Sequence, residues 1–469
     1  MRIAGDGGLE TWCSTLRSMG GSGVDPARLA ALKEREDAEF VRMRPRSQEL
    51  WAAGRAVMPN GVPMSWLRTS YDHPPLFIES AAGSRLRDVD GHEYADFNIA
   101  DMSMFTGYGP AAVVEAVSRQ VALGSQYLLP TEDAIWVAGE LARRYGLPLW
   151  QFTLAATSAN TEVIRIARSS SGREKVLFFD GKYHGHFDDV LVEIEDGRLV
   201  PEEDGLPHDV ATRTLVVPFN DLHALERVLS SREVAVVITE PALTNNVGLL
   251  MPDDGFHDGL REVTRRTGTL LAYDETHTQV VGPGGLTRRW GLAPDFVTVG
   301  KSIAAGIPLG AYGMTEEAAA ALQRPLGRDD DKPQVAVGGT LFGNPVSMAA
   351  ARATMSEVLT DDAYAFTQRL GARLADGLSQ VVAASGMEWT THRFWPRSGL
   401  SFSPAMPRTA TEALESFDVP LRRLLRVYLA NRGVWDAIVG AGPTCSVAAS
   451  EEDVDAYLAA FAELMGELV

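Results

Sequence analysis

The sequence predicts an α/β protein built on a mostly parallel central sheet, and three observations predict it. From about residue 110, short unbroken apolar runs alternate with helix-length segments, as the βαβ units of a sheet covered on both faces require. Two of these runs end in ionisable residues: Leu270-Leu271-Ala272-Tyr273 ends in Asp274 and Glu275, and Phe296-Val297-Thr298-Val299 ends in Gly300 and Lys301. Finally, 469 residues with 45% hydrophobic and 22% charged content suffice for a large core and two domains.

Residues 1–25 are rich in glycine and serine, with Met19-Gly20-Gly21-Ser22-Gly23 as a breaker, and are expected to be a mobile extension. Asp25 and Pro26 stand as N-cap and first residue of a helix carrying Leu29, Leu32 and Phe40. Residues 58–63 read as a turn. Strands are expected at 76–79, 85–88 and 94–98, with Asp90-Gly91 as a hairpin turn. The buried strands fall at 174–179, 214–217, 234–239, 269–274 and 296–299. Helices fall at 161–169, 222–229, 255–267 and 345–359. The acidic stretch 193–209 reads as a surface loop.

A formal charge of −19 argues against nucleic acid and against an anionic membrane surface as partner. No apolar run is long enough to span a bilayer, and the first residues lack the apolar core of a signal peptide. Two cysteines, Cys13 and Cys445, make neither a disulfide framework nor a metal cluster, so no metal is expected and a reducing cytoplasm is the default.

Ligands of open parallel sheets bind off the carboxyl ends of the strands, so Asp274 and Lys301 are expected at one crevice. The pairing suits pyridoxal phosphate, which needs an amine for its aldehyde and an acid at its pyridine nitrogen. A plain salt bridge between two strand ends is the competing reading. Of the five lysines, only Lys301 follows an apolar strand and precedes a small, glycine-containing loop.

Several segments, in this order, resemble the class III aminotransferases. They are Met58-Pro59-Asn60-Gly61, Asp88-Val89-Asp90-Gly91, Tyr94-Ala95-Asp96-Phe97, Phe179-Asp180-Gly181-Lys182-Tyr183-His184-Gly185, Glu240-Pro241, Asp274-Glu275-Thr276, Gly300-Lys301 and Gly339-Thr340-Leu341-Phe342-Gly343-Asn344-Pro345. The nearest branch is that of glutamate-1-semialdehyde aminomutase, with a hint of the sub-branch that includes D-phenylglycine aminotransferase. The resemblance implies a fold-type I pyridoxal-phosphate enzyme. A large cofactor domain would span 92–345, and a smaller α+β domain would be built from 26–91 and 346–469.

It also implies roles. Lys301 would carry the cofactor and Asp274 would face the ring nitrogen, these two being the catalytic pair. Ala156 and Thr157, at a helix start suited to anions, would hold phosphate, although Ala155-Ala156-Thr157-Ser158-Ala159-Asn160 departs from the family's usual motif there. Tyr183 would stack on the ring, Thr276 would pack on its other face, and His277 would lie near the ring hydroxyl. Glu240 would sit at the same crevice. Thr340 would reach the phosphate of a neighbouring subunit, which makes the expected partner a second copy of the chain, with active sites at the homodimer interface.

For the substrate, Met64 and Trp66, with Met102, Met104 and Phe105, suggest a hydrophobic or aromatic pocket. Arg68 and Arg397 are the candidates for a carboxylate contact. The expected activity is transamination between a small-molecule amino donor and an oxo acceptor. An aminomutase or amino-acid racemase would use the same residues. The altered phosphate-helix motif leaves a non-catalytic cofactor-binding protein as a third reading.

Overall fold

Uninterrupted apolar runs fold here into a sheet that both faces of the molecule cover. The computed structural model describes residues 22–69, 72–195, 197–322, 335–436 and 440–469; most of the expected N-terminal extension, residues 1–21, lies outside them. The main sheet has seven described strands: β1 (Leu149–Thr153), β2 (Lys175–Phe179), β3 (Thr214–Val217), β4 (Val234–Thr239), β5 (Leu270–Asp274), β6 (Phe296–Val299) and β7 (Gly310–Met314). Their order is β1-β7-β6-β5-β4-β2-β3. Neighbours from β6 to β3 pair in parallel. β7 runs antiparallel to both β6 and β1. All residues of β4, β6 and β7 are buried, as expected of strands covered on two sides.

Five of the seven strands match apolar runs in the sequence, and two do not. β7 contains Gly310 and Gly313, which weaken any strand signal. Packing requires them to be small. A Cβ on Gly313 would lie 2.4 Å from Trp150 Cζ2, and one on Gly310 would lie 2.4 Å from the Ala155 carbonyl oxygen. β1 is interrupted by the exposed Gln151. The pairing of Gly310 with Thr153 brings the end of β1 and the start of β7 to the edge where β5 and β6 end.

The helix Pro26–Met43 starts as its sequence dictates, with Asp25 accepting from the Ala27 amide at 3.2 Å. Its Leu29 and Leu32 share one core with Leu370, Leu424 and Leu464, so the first described helix packs with C-terminal ones. A second sheet joins Ile78–Ala82, Arg85–Asp88 and Glu93–Asp96 to Val434–Trp435.

The acidic stretch is a correction. Residues 193–209 are not a plain loop, because Val192–Glu195 and Arg198–Pro201 pair as an antiparallel hairpin. Val192 belongs to a small buried cluster with Val210 and Val216, and Lys182 is ion-paired to Glu202. These contacts tie the acidic segment down.

Among the described residues, no helix is long and apolar enough to cross a membrane.

Candidate active site

The carboxyl edge of the sheet encloses a cavity of about 300 Å³. β5 brings Asp274 to it, and the turn after β6 brings Lys301. The linking Gly300 passes so close to the next helix that a Cβ on it would lie 3.1 Å from the amide nitrogen and Cβ of Ala156. Lys301 itself is left-handed, with φ 54°.

Asp274 is buried and fully partnered. Its Oδ2 accepts from Asn160 Nδ2 at 2.8 Å and faces His184 Nδ1 at 2.9 Å, while its Oδ1 accepts from the Thr276 amide at 3.0 Å. Burial by itself would raise the pKa of this group. The His184 contact, with Thr276 and Asn160, outweighs burial and brings it down to about 2. The cavity therefore holds a fixed negative charge at neutral pH.

The helix Ala156–Ser171 opens at the same edge, and its N-cap residue Ala155 supplies no side-chain cap. Its first amides, with the helix dipole, suit an anion. Gly185 keeps this corner open: a Cβ there would lie 2.4 Å from Thr157 Oγ1.

Of the predicted residues, Ala156, Thr157, Tyr183, Glu240, Asp274, Thr276, His277 and Lys301 all line the cavity. Glu240 bonds the Thr244 amide (3.2 Å) and hydroxyl (2.6 Å), and burial pushes its pKa up to about 8, so it carries its proton at neutral pH. His277 is pushed down to about 3 by burial and by nearby Lys301, and is neutral.

Arg397 lies just behind. It is buried, with Nη1 3.4 Å from His277 Nδ1, and its Nε has no partner. Burial lowers its pKa to about 10, which leaves it charged at neutral pH.

Besides Arg397, four predicted residues do not line this cavity. Met64 and Trp66 are exposed, and the Arg68 guanidinium lies 5.6 Å over the Trp51 ring. Thr340 is exposed, and its carbonyl accepts from Gln126 Nε2. The expected apolar wall is also corrected at Met102 and Phe105, which pack into a core with Val280, Leu359 and Tyr364. Met104 is partly buried against that cluster.

Asp101, His184 and Asn160 were not singled out from the sequence. His184 and Asn160 lay within quoted segments, but only folding turns them toward Asp274. Asp101 carried no motif at all.

The residues fit a phosphorylated pyridine aldehyde: an ionised acid for the ring nitrogen, an amine for the aldehyde, and open amides for the phosphate. Fold and site together define a pyridoxal-phosphate-dependent enzyme.

The comparisons agree. A family model described as aminotransferase class-III matches residues 67–388. A glutamate-1-semialdehyde 2,1-aminomutase from Akkermansia muciniphila is 33% identical over 422 residues, which cover 87% of this chain and 96% of that protein. A glutamate-1-semialdehyde-aminomutase structure from Pseudomonas aeruginosa matches with TM-score 0.90 and 39% identity, over 95% of this chain and 100% of that one. Another form of that enzyme was solved in complex with PMP. An omega-transaminase from Sphaerobacter thermophilus matches with TM-score 0.82 and 29% identity, over 90% and 97% of the two chains. The chain belongs to the class-III aminotransferase family.

Proposed function

We propose that this enzyme is a transaminase that moves an amino group between a carboxylate-bearing amine and an oxo acid. The observation that carries the reading is the placement of the ionised Asp274 and the Lys301 amine in one cavity. When bound, pyridoxal phosphate supplies an aldehyde for Lys301 and a ring that draws electrons from the substrate carbon. Asp274 would keep positive charge at the ring nitrogen. The first amides of the helix at Ala156 and Thr157 would hold the phosphate. Tyr183 and Thr276 would hold the ring, and His277 and Glu240 would serve it as neutral hydrogen-bonding groups. Once released, the Lys301 amine moves a proton at the substrate carbon.

Arg397 takes the substrate carboxylate, since its buried guanidinium has an unpartnered Nε. Leu154, Ile307 and Leu309 line the cavity and support an apolar or aromatic side chain in the substrate. The test is a screen of amines and amino acids for bleaching of the cofactor's visible band, followed by turnover with and without an added oxo acid. Turnover that ignores the oxo acid would refute transamination.

The aminomutase reading remains as the second, favoured by the names of the relatives at 33% and 39% identity. It requires that one amino-oxo compound be isomerised with no second substrate.

We also infer a homodimer. Val121, Leu123, Leu128, Leu129 and Leu341 are exposed apolar residues, and the Gln126–Thr340 bond joins their two segments. This face supports the reading that Thr340 serves a partner's phosphate site. Mixing inactive Lys301→Ala and Thr340→Ala chains should restore activity in the hybrid, because one of its two sites is then intact. A monomer by sedimentation would contradict it. The buried free thiol of Cys445 suits a cytoplasmic setting, which recovery of the native protein from a secreted fraction would refute.

A further inference from the structure

We propose that Asp101 is the counter-ion of Lys301, a positioning residue that holds the amine at the cavity mouth and stabilises positive charge on its nitrogen. The inference rests on the pyridoxal-phosphate reading above and deepens it.

The geometry is unusual in two ways. The Asp101 carboxylate is hydrogen-bonded and ion-paired to Lys301 Nζ. The pair joins residues 200 positions apart. Asp101 also sits in a run of four consecutive left-handed residues: Ile99 (φ 43°), Ala100 (47°), Asp101 (52°) and Met102 (72°). Each such residue costs roughly 1–2 kcal/mol, so a run of them persists only where its surroundings hold it.

They do hold it here. Asp96 Oδ1 accepts from the amides of Asn98 and Ile99 at 2.9 Å each. The Met104 amide donates to the Ile99 carbonyl at 3.0 Å, and Thr444 Oγ1 donates to Met102 Sδ at 3.3 Å. The result is a rigid, strained turn whose tip is a carboxylate facing Lys301.

The other charged and titratable groups around that amine are already engaged or of the wrong sign. Asp274, from β5, is committed to Asn160, His184 and Thr276. Glu240, from the end of β4, is bonded to Thr244 and protonated. His277, following β5, is neutral. Arg397, from the strand Arg397–Ser401, is cationic and would repel the amine. Tyr183, after β2, is kept as the phenol: burial, then Asp101 and Glu202, push its pKa up. Among the described residues, Asp101 is thus the negative group left to balance the nitrogen of Lys301. Partial desolvation at the cavity mouth opposes ionisation of Asp101, but the cationic Lys301 and Arg397 offset it and lower its pKa.

The test is a pH titration of the visible absorbance of the holoenzyme, which follows the proton on the cofactor-linked nitrogen of Lys301. A carboxylate beside that nitrogen favours its protonated, positive form. Removing the carboxylate therefore lowers the midpoint. Asp101→Asn and Asp101→Gly both delete the charge, and both residue types accept the left-handed backbone, so the turn survives. The Asp101 side chain is 53% exposed, which screens the effect, and the expected drop is about 1 pH unit. Asp101→Glu restores the charge and should bring the midpoint back toward the wild-type value. Wild-type midpoints in both charge-deleted variants would overturn the proposal. A wild-type protein that never acquires the band would instead overturn the cofactor reading beneath it.

Discussion

Asn160 Nδ2 stands 2.8 Å from Asp274 Oδ2, and the same side chain accepts from Thr298 Oγ1 at 2.8 Å through its Oδ1. A single amide therefore ties the helix Ala156–Ser171 to β5 and to β6. Its second donor contact, to the His184 carbonyl at 2.9 Å, fixes the loop carrying Tyr183 as well. Asn160→Ala removes one donor from a buried carboxylate, at a cost of about 1–3 kcal/mol. The expected result is cofactor affinity weakened by about 5- to 150-fold, read by equilibrium titration of the visible band. Wild-type affinity in this variant would show that the amide is only structural.

Lys301→Ala should abolish the visible band and turnover together. Borohydride reduction of the wild-type holoenzyme should then leave the cofactor's mass on the peptide containing Lys301, among the five lysines of the chain. A label found on any other lysine contradicts the assignment.

Arg397→Met keeps most of the side chain's volume and deletes its charge. A charged hydrogen bond contributes about 1.5–3 kcal/mol, so kcat/KM for a carboxylate-bearing donor should fall about 10- to 150-fold. A simple amine lacking the carboxylate should lose much less. Equal losses for both would remove Arg397 from substrate binding.

Acid should destabilise the protein well above the carboxylate range. His257 and His392 are held near pKa 4 mainly by burial, against 6.5 for the free side chain. Below pH 6.5 the unfolded chain takes up protons that the folded chain refuses, so the stability these groups lend is present above 6.5 and lost as pH falls toward 4. Each contributes a slope approaching about 1.4 kcal/mol per pH unit in that window. The melting temperature should drop from pH 6.5 to 4, and His392→Asn should flatten that drop. An unchanged slope would place the acid lability elsewhere.

What was legible in the sequence was local. Apolar runs of four to six residues were enough to place β2 to β6, because a strand buried on both faces needs nothing else. The pair Asp274 and Lys301 could be read because each follows such a run directly, and strand direction alone sends both to one edge. Asp25 and Pro26 likewise announced a helix start. β1 and β7 stayed hidden, since Gly310 and Gly313 answer to neighbours across the sheet rather than to any local preference.

The tertiary structure decided everything that depends on approach from a distance. Asp101, Asn160, His184 and Arg397 lie far apart in the chain, and no spacing relates them. Folding brings Asn160 and His184 to Asp274, Asp101 to Lys301 and Arg397 to His277, with β6 set beside β5 by the sheet order. The same folding carried Met102 and Phe105 into a core and left Met64 on the surface. The charge states of the site also belong to this level. Burial neutralises Glu240 and His277, and donors brought from other elements keep Asp274 ionised, because a pKa is set by what surrounds a group in space.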